Sequence, residues 1–153
     1  MSSSAPFSTA WPDAPEPPAA VKAWVDKFYH LADDKSPDAG ELLSLLFTND
    51  ATMYGLAGPL TGREAIAASR PKAWITQKDR RHEPLHIYTT KADYSDILVL
   101  GRLQSWFKNG EKVDVEFVAG ITFDGATSAN PKCSLYRVWG DSAPWVKAMS
   151  KKD

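Results

Sequence analysis

ILVLGRLQSWFKNGEKVDVEFVAGITF, Ile97 to Phe123, is the stretch that decides the fold class. Two long runs rich in β-branched, aromatic and aliphatic residues flank the dipeptide Asn109-Gly110. Side chains alternate across a strand, so a period of two marks each run as strand. Asn-Gly is a strong hairpin signal, because a two-residue turn needs positive φ at both central positions. Such a turn implies a register in which Lys108 faces Glu111, Trp106 faces Val113, Gln104 faces Val115 and Arg102 faces Phe117. One face of the hairpin then carries Leu98, Leu100, Arg102, Gln104, Trp106, Val113, Val115, Phe117, Ala119, Ile121 and Phe123, and is expected to be the covered interior. The other carries Val99, Leu103, Ser105, Phe107, Lys112, Asp114, Glu116, Val118 and Thr122. Its mixed character suits a partner surface better than bare solvent. Strands this long twist and curl, with Gly101 and Gly120 as candidate bend points.

Outward from the hairpin, Arg81–Thr89 reads as a preceding strand and Cys133–Trp139 as a following one. The first half of the chain is helical. Val21, Trp24, Val25, Phe28 and Leu31 recur at helical spacing after Pro18, which suits a first helical turn. Glu41–Phe47 reads as a second, short helix, and Met53-Tyr54 as a short strand. The Gly55–Gly58 loop leads to a helix opened by Thr61-Gly62-Arg63-Glu64, where Thr61 and Glu64 have capping-box spacing. Residues 1–18, with Pro12, Pro15, Pro17 and Pro18, are expected to be a flexible arm. Phe7 and Trp11 are its candidate tethers. Residues 19–150 form the domain.

The 153 residues suffice for one self-sufficient core. Lys plus Arg total 18 and Asp plus Glu 19, so no excess of positive charge favours nucleic acid. The single cysteine, Cys133, excludes an internal disulfide and a thiolate cluster. No apolar run is long enough to span a bilayer. The N-terminus has no basic segment followed by an apolar core, so a cytoplasmic location is expected. The glycines are too scattered for a dinucleotide fingerprint, and no cofactor is expected.

The order helix, short helix, Asp50-Ala51-Thr52, glycine loop, Gly62-Arg63-Glu64-Ala65-Ile66 helix and four strands resembles the nuclear transport factor 2-like superfamily, and its SnoaL-like branch in particular. Tyr136-Arg137-Val138-Trp139-Gly140-Asp141-Ser142-Ala143-Pro144-Trp145 is similar to that family's closing strand. The resemblance covers residues 18–150. It implies an α+β cone: a strongly curved antiparallel sheet with N-terminal helices packed on its concave face, commonly dimerised through the outer sheet face. Family members include polyketide cyclases, steroid isomerases, dehydratases, epoxide hydrolases and binding modules without catalysis, so the fold does not choose the chemistry. Where the steroid isomerase branch carries a catalytic acid, this sequence has Gly55.

Several residues are candidates for a site. His82 and His86 lie four apart on an expected strand and so share a face. Turned inward, they would exchange a proton near neutral pH. Turned outward, they are a solvated and a backbone-bonded histidine. Rings about 13 Å apart are too distant to share a metal. Arg102, expected on the interior face, would anchor a carboxylate or an enolate, or else pair with an acid near the cone mouth. Gln104 carries the same two readings. Tyr54 and Tyr29 are candidates to orient a ligand oxygen. Trp24 and Trp106 are candidate walls for a flat polycyclic ligand. Two functions follow: a lyase, isomerase or cyclase acting on a hydrophobic carbonyl compound, or a non-catalytic ligand-binding or dimerisation module.

Overall fold

The computed structural model describes residues 5–55 and 57–151. Residues 1–4 of the expected arm and residue 56 of the glycine loop lie outside the described residues. Helices α1 (Ala19–Ala32) and α2 (Ala39–Ser44) are followed by strands β1 (Phe47–Gly55) and β2 (Gly58–Thr61). Next come α3 (Arg63–Ser69), the single turn α4 (Ala73–Thr76), then β3 (Gln77–Thr89), β4 (Asp96–Phe107), β5 (Lys112–Asp124), β6 (Lys132–Trp139) and α5 (Ala143–Ser150). The strands form one six-stranded sheet in the order β2-β1-β6-β5-β4-β3. Neighbours are antiparallel except β1 and β6, which run parallel.

Helix α1 buries Val21, Trp24, Val25, Phe28, Tyr29 and Ala32 along one stripe against the concave face. Inward side chains of three strands meet that stripe: Val99 from β4, Phe117, Ala119 and Ile121 from β5, and Tyr136 from β6. Removing one such large side chain from water contributes about 1.5–3 kcal/mol. A second, smaller core forms where α5 sets Trp145 and Ala148 against Phe107 and Val113.

The hairpin register differs by one residue from the expected one. Trp106 pairs with Lys112, Gln104 with Asp114 and Arg102 with Glu116. Gly110 has φ +89°, but Asn109 is not in the left-handed region, so the two-residue turn does not form. The loop has three residues, Lys108 to Gly110, closed by Gly110 N–H to the Phe107 carbonyl (3.1 Å) and Phe107 N–H to the Glu111 carbonyl (2.9 Å). Asn109 is engaged elsewhere: its Nδ2 donates to the carbonyls of Ala148 and Lys151, both at 2.9 Å, at the end of α5. A one-residue slip turns a whole strand over. Strand β5 keeps its expected inner face, whereas β4 is reversed. Val99, Leu103, Ser105 and Phe107 point inward, and Leu98, Leu100, Arg102, Gln104 and Trp106 belong to the outer face.

Other boundaries moved for local reasons. Phe47 opens β1 instead of closing α2, because its side chain belongs to the main core. The capping box is not made: Gly62 at φ +87° is the N-cap of α3, with no side-chain cap. Helix α5 was not anticipated. Residues 5–18 run beside the sheet edge. Ala10 bridges to β3 through Ala10 N–H to the Leu85 carbonyl (2.8 Å) and Ile87 N–H to the Ala10 carbonyl (3.0 Å). Phe7 stacks on His30 with ring centroids 4.1 Å apart.

Gly101 lies opposite Phe117 on the inner face, and a methyl group there would overlap the Phe117 ring. Gly101→Ala is therefore expected to lower stability by about 1–3 kcal/mol, read as a fall in Tm. An unchanged Tm would show that the ring has room to move.

Candidate active site

Helix α1 ends at Ala32, and Asp33 is its C-cap residue. A carboxylate at this end opposes the helix macrodipole, so other groups must hold it there. Strand β3 supplies them. His82 faces inward opposite Leu103. Its backbone N–H donates to Asp33 Oδ2 (2.6 Å) and its ring Nδ1 lies 2.6 Å from Asp33 Oδ1. An ionised carboxylate only accepts, so Nδ1 carries the proton and Nε2 is left as the basic nitrogen. Nε2 has no hydrogen-bond partner among the described residues and is not sealed from solvent. The ring sits between Tyr29 and Phe117, with centroids 5.4 and 5.7 Å away. Burial pushes the imidazole below its ordinary pKa, against an opposite but smaller pull from Asp33.

Arg80, two residues before His82, also reaches Asp33, with Nε 3.6 Å from Oδ1. It donates to the carbonyl of Ala32 and lies 5.0 Å over the ring of Trp74. Burial lowers its pKa to about 10. Arg70, the C-cap residue of α3, is partly buried, and its Nε is sealed without a partner. Across from these cations, Tyr136 of β6 and Tyr29 of α1 bring their hydroxyl oxygens within 3.2 Å. Burial raises both, Tyr136 to about 12 and Tyr29 well above its ordinary value, so both remain O–H donors near neutral pH.

Arg70, Arg80, His82 and Tyr136 line a single cavity of about 140 Å³. Its walls are mostly apolar, from Phe28, Met53, Leu103, Val115, Phe117 and Val138. Trp139 and Trp145 border it, and Glu116 and Asp141 stand exposed at its mouth. A dry cavity of about 150 Å³ accommodates benzene. The space thus accommodates one aromatic ring.

The anticipated residues divide. His82 lines the cavity, and Tyr29 does not: it is fully buried behind it, with its ring 5.4 Å from His82 and its hydroxyl 3.2 Å from that of Tyr136. Nor does His86: β3 has a bulge between Pro84 and His86, which breaks the alternation and turns His86 outward opposite Leu100. Arg102 lies on the outer face in a two-pronged ion pair with Asp114, at 2.9 and 2.7 Å, and Gln104 joins the same carboxylate at 3.3 Å. Trp106 is outside too, beneath Lys112 at 5.1 Å. Trp24 belongs to the core, where Nε1 donates to the Leu46 carbonyl (2.9 Å). Tyr54 is 44% exposed. Asp33, Arg70, Arg80 and Tyr136 were not singled out for chemistry. The available signal was Asp33, an acid at the wrong end of a helix.

Neither a family model nor a curated protein matches the chain. Solved structures do match. A hypothetical protein with a ketosteroid isomerase-like fold from Catenulispora acidiphila, in complex with trimethylamine, aligns over 87% of this chain and 93% of its own, with TM-score 0.65 and 14% identity. TerC, co-crystallised with polyporic acid, aligns over 87% and 100%, with TM-score 0.69 and 13% identity. A protein named as a candidate polyketide cyclase from Xanthomonas campestris aligns over 86% and 97%, with TM-score 0.69 and 8% identity. The chain folds as a nuclear transport factor 2-like cone. Identities this low establish the fold and leave the chemistry to the residues. Among the described residues, no helix is long and apolar enough to cross a membrane.

Proposed function

We propose that the protein is an acid–base lyase, isomerase or cyclase acting on a hydrophobic carbonyl compound, with His82 as the base. The observation that carries this reading is His82 itself, held by Asp33 through two bonds of 2.6 Å and facing an apolar cavity. His82 Nε2 takes a proton from the carbon beside the carbonyl. The C–H electron pair moves into the new C=C bond, and the carbonyl π pair moves onto oxygen. Tyr136 donates its O–H to that oxygen, and the neighbouring guanidinium groups stabilise its charge. Return of the proton at a more distant carbon gives an isomer. Departure of a β-hydroxyl, taking the proton from the imidazolium, gives water and an unsaturated product. Neighbours of the same fold include the candidate polyketide cyclase and two proteins captured with small organic molecules, which supports a small-molecule role. The test is exchange of the α-protons of small cyclic and aryl ketones in D2O, followed by NMR. Exchange above the buffer rate is expected, and exchange at the buffer rate throughout the set overturns the reading.

We also read the protein as a cytoplasmic homodimer associating through the outer sheet face. Of the residues first expected there, Val99, Leu103 and Phe107 point into the core, and Val118 stays on the outer face between Leu100 and Trp139. The outer face also exposes Tyr88 (54%), Leu98 (45%) and Trp139 (48%). A two-fold axis would make this patch self-complementary. Light scattering should give twice the 16.8 kDa chain mass, and Leu98→Lys together with Tyr88→Lys should give the monomer. A wild-type mass of one chain would overturn it.

A further inference from the structure

Arg70 is the one cavity-lining cation with no hydrogen bond to any described residue. Arg80 has the Ala32 carbonyl, Asp33 and the Trp74 ring. Arg70 has none of these; the Nε atoms of both arginines are buried without a hydrogen-bond partner, so the pair together leaves two donors unanswered. A guanidinium offers five N–H donors, and of those of Arg70 the Nε–H is sealed without an acceptor, which is costly. The charge balance points the same way. Two guanidinium groups face one partly buried carboxylate, Asp33, which is already shared by His82 and Arg80. The other carboxylates of the cavity, Glu116 and Asp141, are exposed at its mouth and screened by water. Asp141 Oδ1 is moreover occupied by the Ala143 N–H at 2.9 Å.

We propose that Arg70, with Arg80 beside it, forms an anion-binding end of this cavity, and that its ligand is a single-ring compound bearing a planar, delocalised oxyanion such as a carboxylate or an acidic enol. This rests on the acid–base reading for the same cavity and narrows its substrate class. A planar oxyanion matches the guanidinium fork in two parallel bonds. The apolar walls hold the ring, and the volume of about 140 Å³ sets its size. With the anion fixed at Arg70, the remainder of the ligand lies along the wall that carries His82 and Tyr136.

The test compares benzoate with its neutral isostere benzamide, by isothermal titration and by shift of Tm, on the full chain. Benzoate is expected to bind at least tenfold tighter and to raise Tm, whereas benzamide leaves it nearly unchanged. Arg70→Met is expected to abolish the difference. Its ligand-free Tm should equal or exceed that of the wild type, since an apolar side chain replaces a partly buried cation whose Nε has no acceptor. Should that variant fail to fold, the comparison on the wild type decides alone. Equal affinity for the two probes overturns the proposal. So does an anion preference that survives in Arg70→Met. Binding needs no turnover, so His82→Gln should retain the benzoate preference. A failure of the acid–base reading would therefore leave this result standing, and the converse also holds.

Discussion

Replacing His82 by Gln should lower the rate of α-proton exchange about 10²- to 10⁴-fold, the range expected for loss of a positioned general base. Gln keeps a donor that can reach Asp33 but supplies no basic nitrogen, so the loss falls on turnover. The wild-type rate should also fall as the solution is acidified. Burial holds the folded-state pKa of His82 below the ordinary value of about 6.5, so the neutral base persists somewhat below neutrality before it protonates. The same shift links pH to stability. The unfolded chain takes up this proton first, because its histidine is unperturbed. The stability contribution of neutral His82 is complete above about pH 6.5, and it is lost as pH falls through the lower folded-state value. Wild type should therefore lose Tm relative to His82→Gln between neutral and mildly acidic pH. Two parallel Tm curves over that range would show that His82 does not titrate differently in the folded state. An exchange rate unchanged by the substitution would remove His82 as the base.

The cone was legible because it depends on long-range repetition: a stripe of apolar residues on α1 and alternation along β4, β5 and β6. The site was not, because its geometry depends on single-residue offsets. Asn109-Gly110 announces a hairpin but does not fix loop length. Here the Asn109 side chain binds the end of α5, and the loop takes three residues. That one residue moved Arg102, Gln104 and Trp106 from the interior to the exterior. The bulge after Pro84 separated His82 from His86 in the same way. Pro84 was the visible warning, since a strand proline belongs at an edge or a bulge, and β3 is an edge strand. Asp33 and Arg80 escaped notice for another reason. Each is an unremarkable surface residue type by sequence, and only the packing of α1 against β3 brings the two together. Arg70 just before Pro71 looks like an ordinary basic residue at a helix end, where the dipole favours it. Nothing local says that it lines a cavity.

Asp33→Ala should produce the largest loss of stability of any change at the site, about 3–5 kcal/mol. The carboxylate accepts from two donors, the His82 backbone N–H and His82 Nδ1, and balances the charge of the Arg80 guanidinium 3.6 Å away. Removing it leaves a buried cation without its counter-charge and two N–H groups without acceptors. One effect opposes this, because an anion at the C-terminal end of α1 is unfavourable by roughly 0.3–1 kcal/mol. That gain is several times smaller than the loss, so the net effect remains destabilising. Urea unfolding should show a lower midpoint with an unchanged slope, the signature of a stability change without a change in the surface exposed. Asp33→Asn should fall between the two proteins, since its amide oxygen replaces one acceptor but not the charge. Loss of the carboxylate also frees the imidazole tautomers, so nitrogen NMR should show proton density shifting from Nδ1 toward Nε2. A protonated Nε2 cannot act as the base, so α-proton exchange should slow even in molecules that stay folded. An Asp33→Ala protein within about 1 kcal/mol of wild type, with Nδ1 still protonated, would mean that Asp33 neither anchors β3 to α1 nor orients His82.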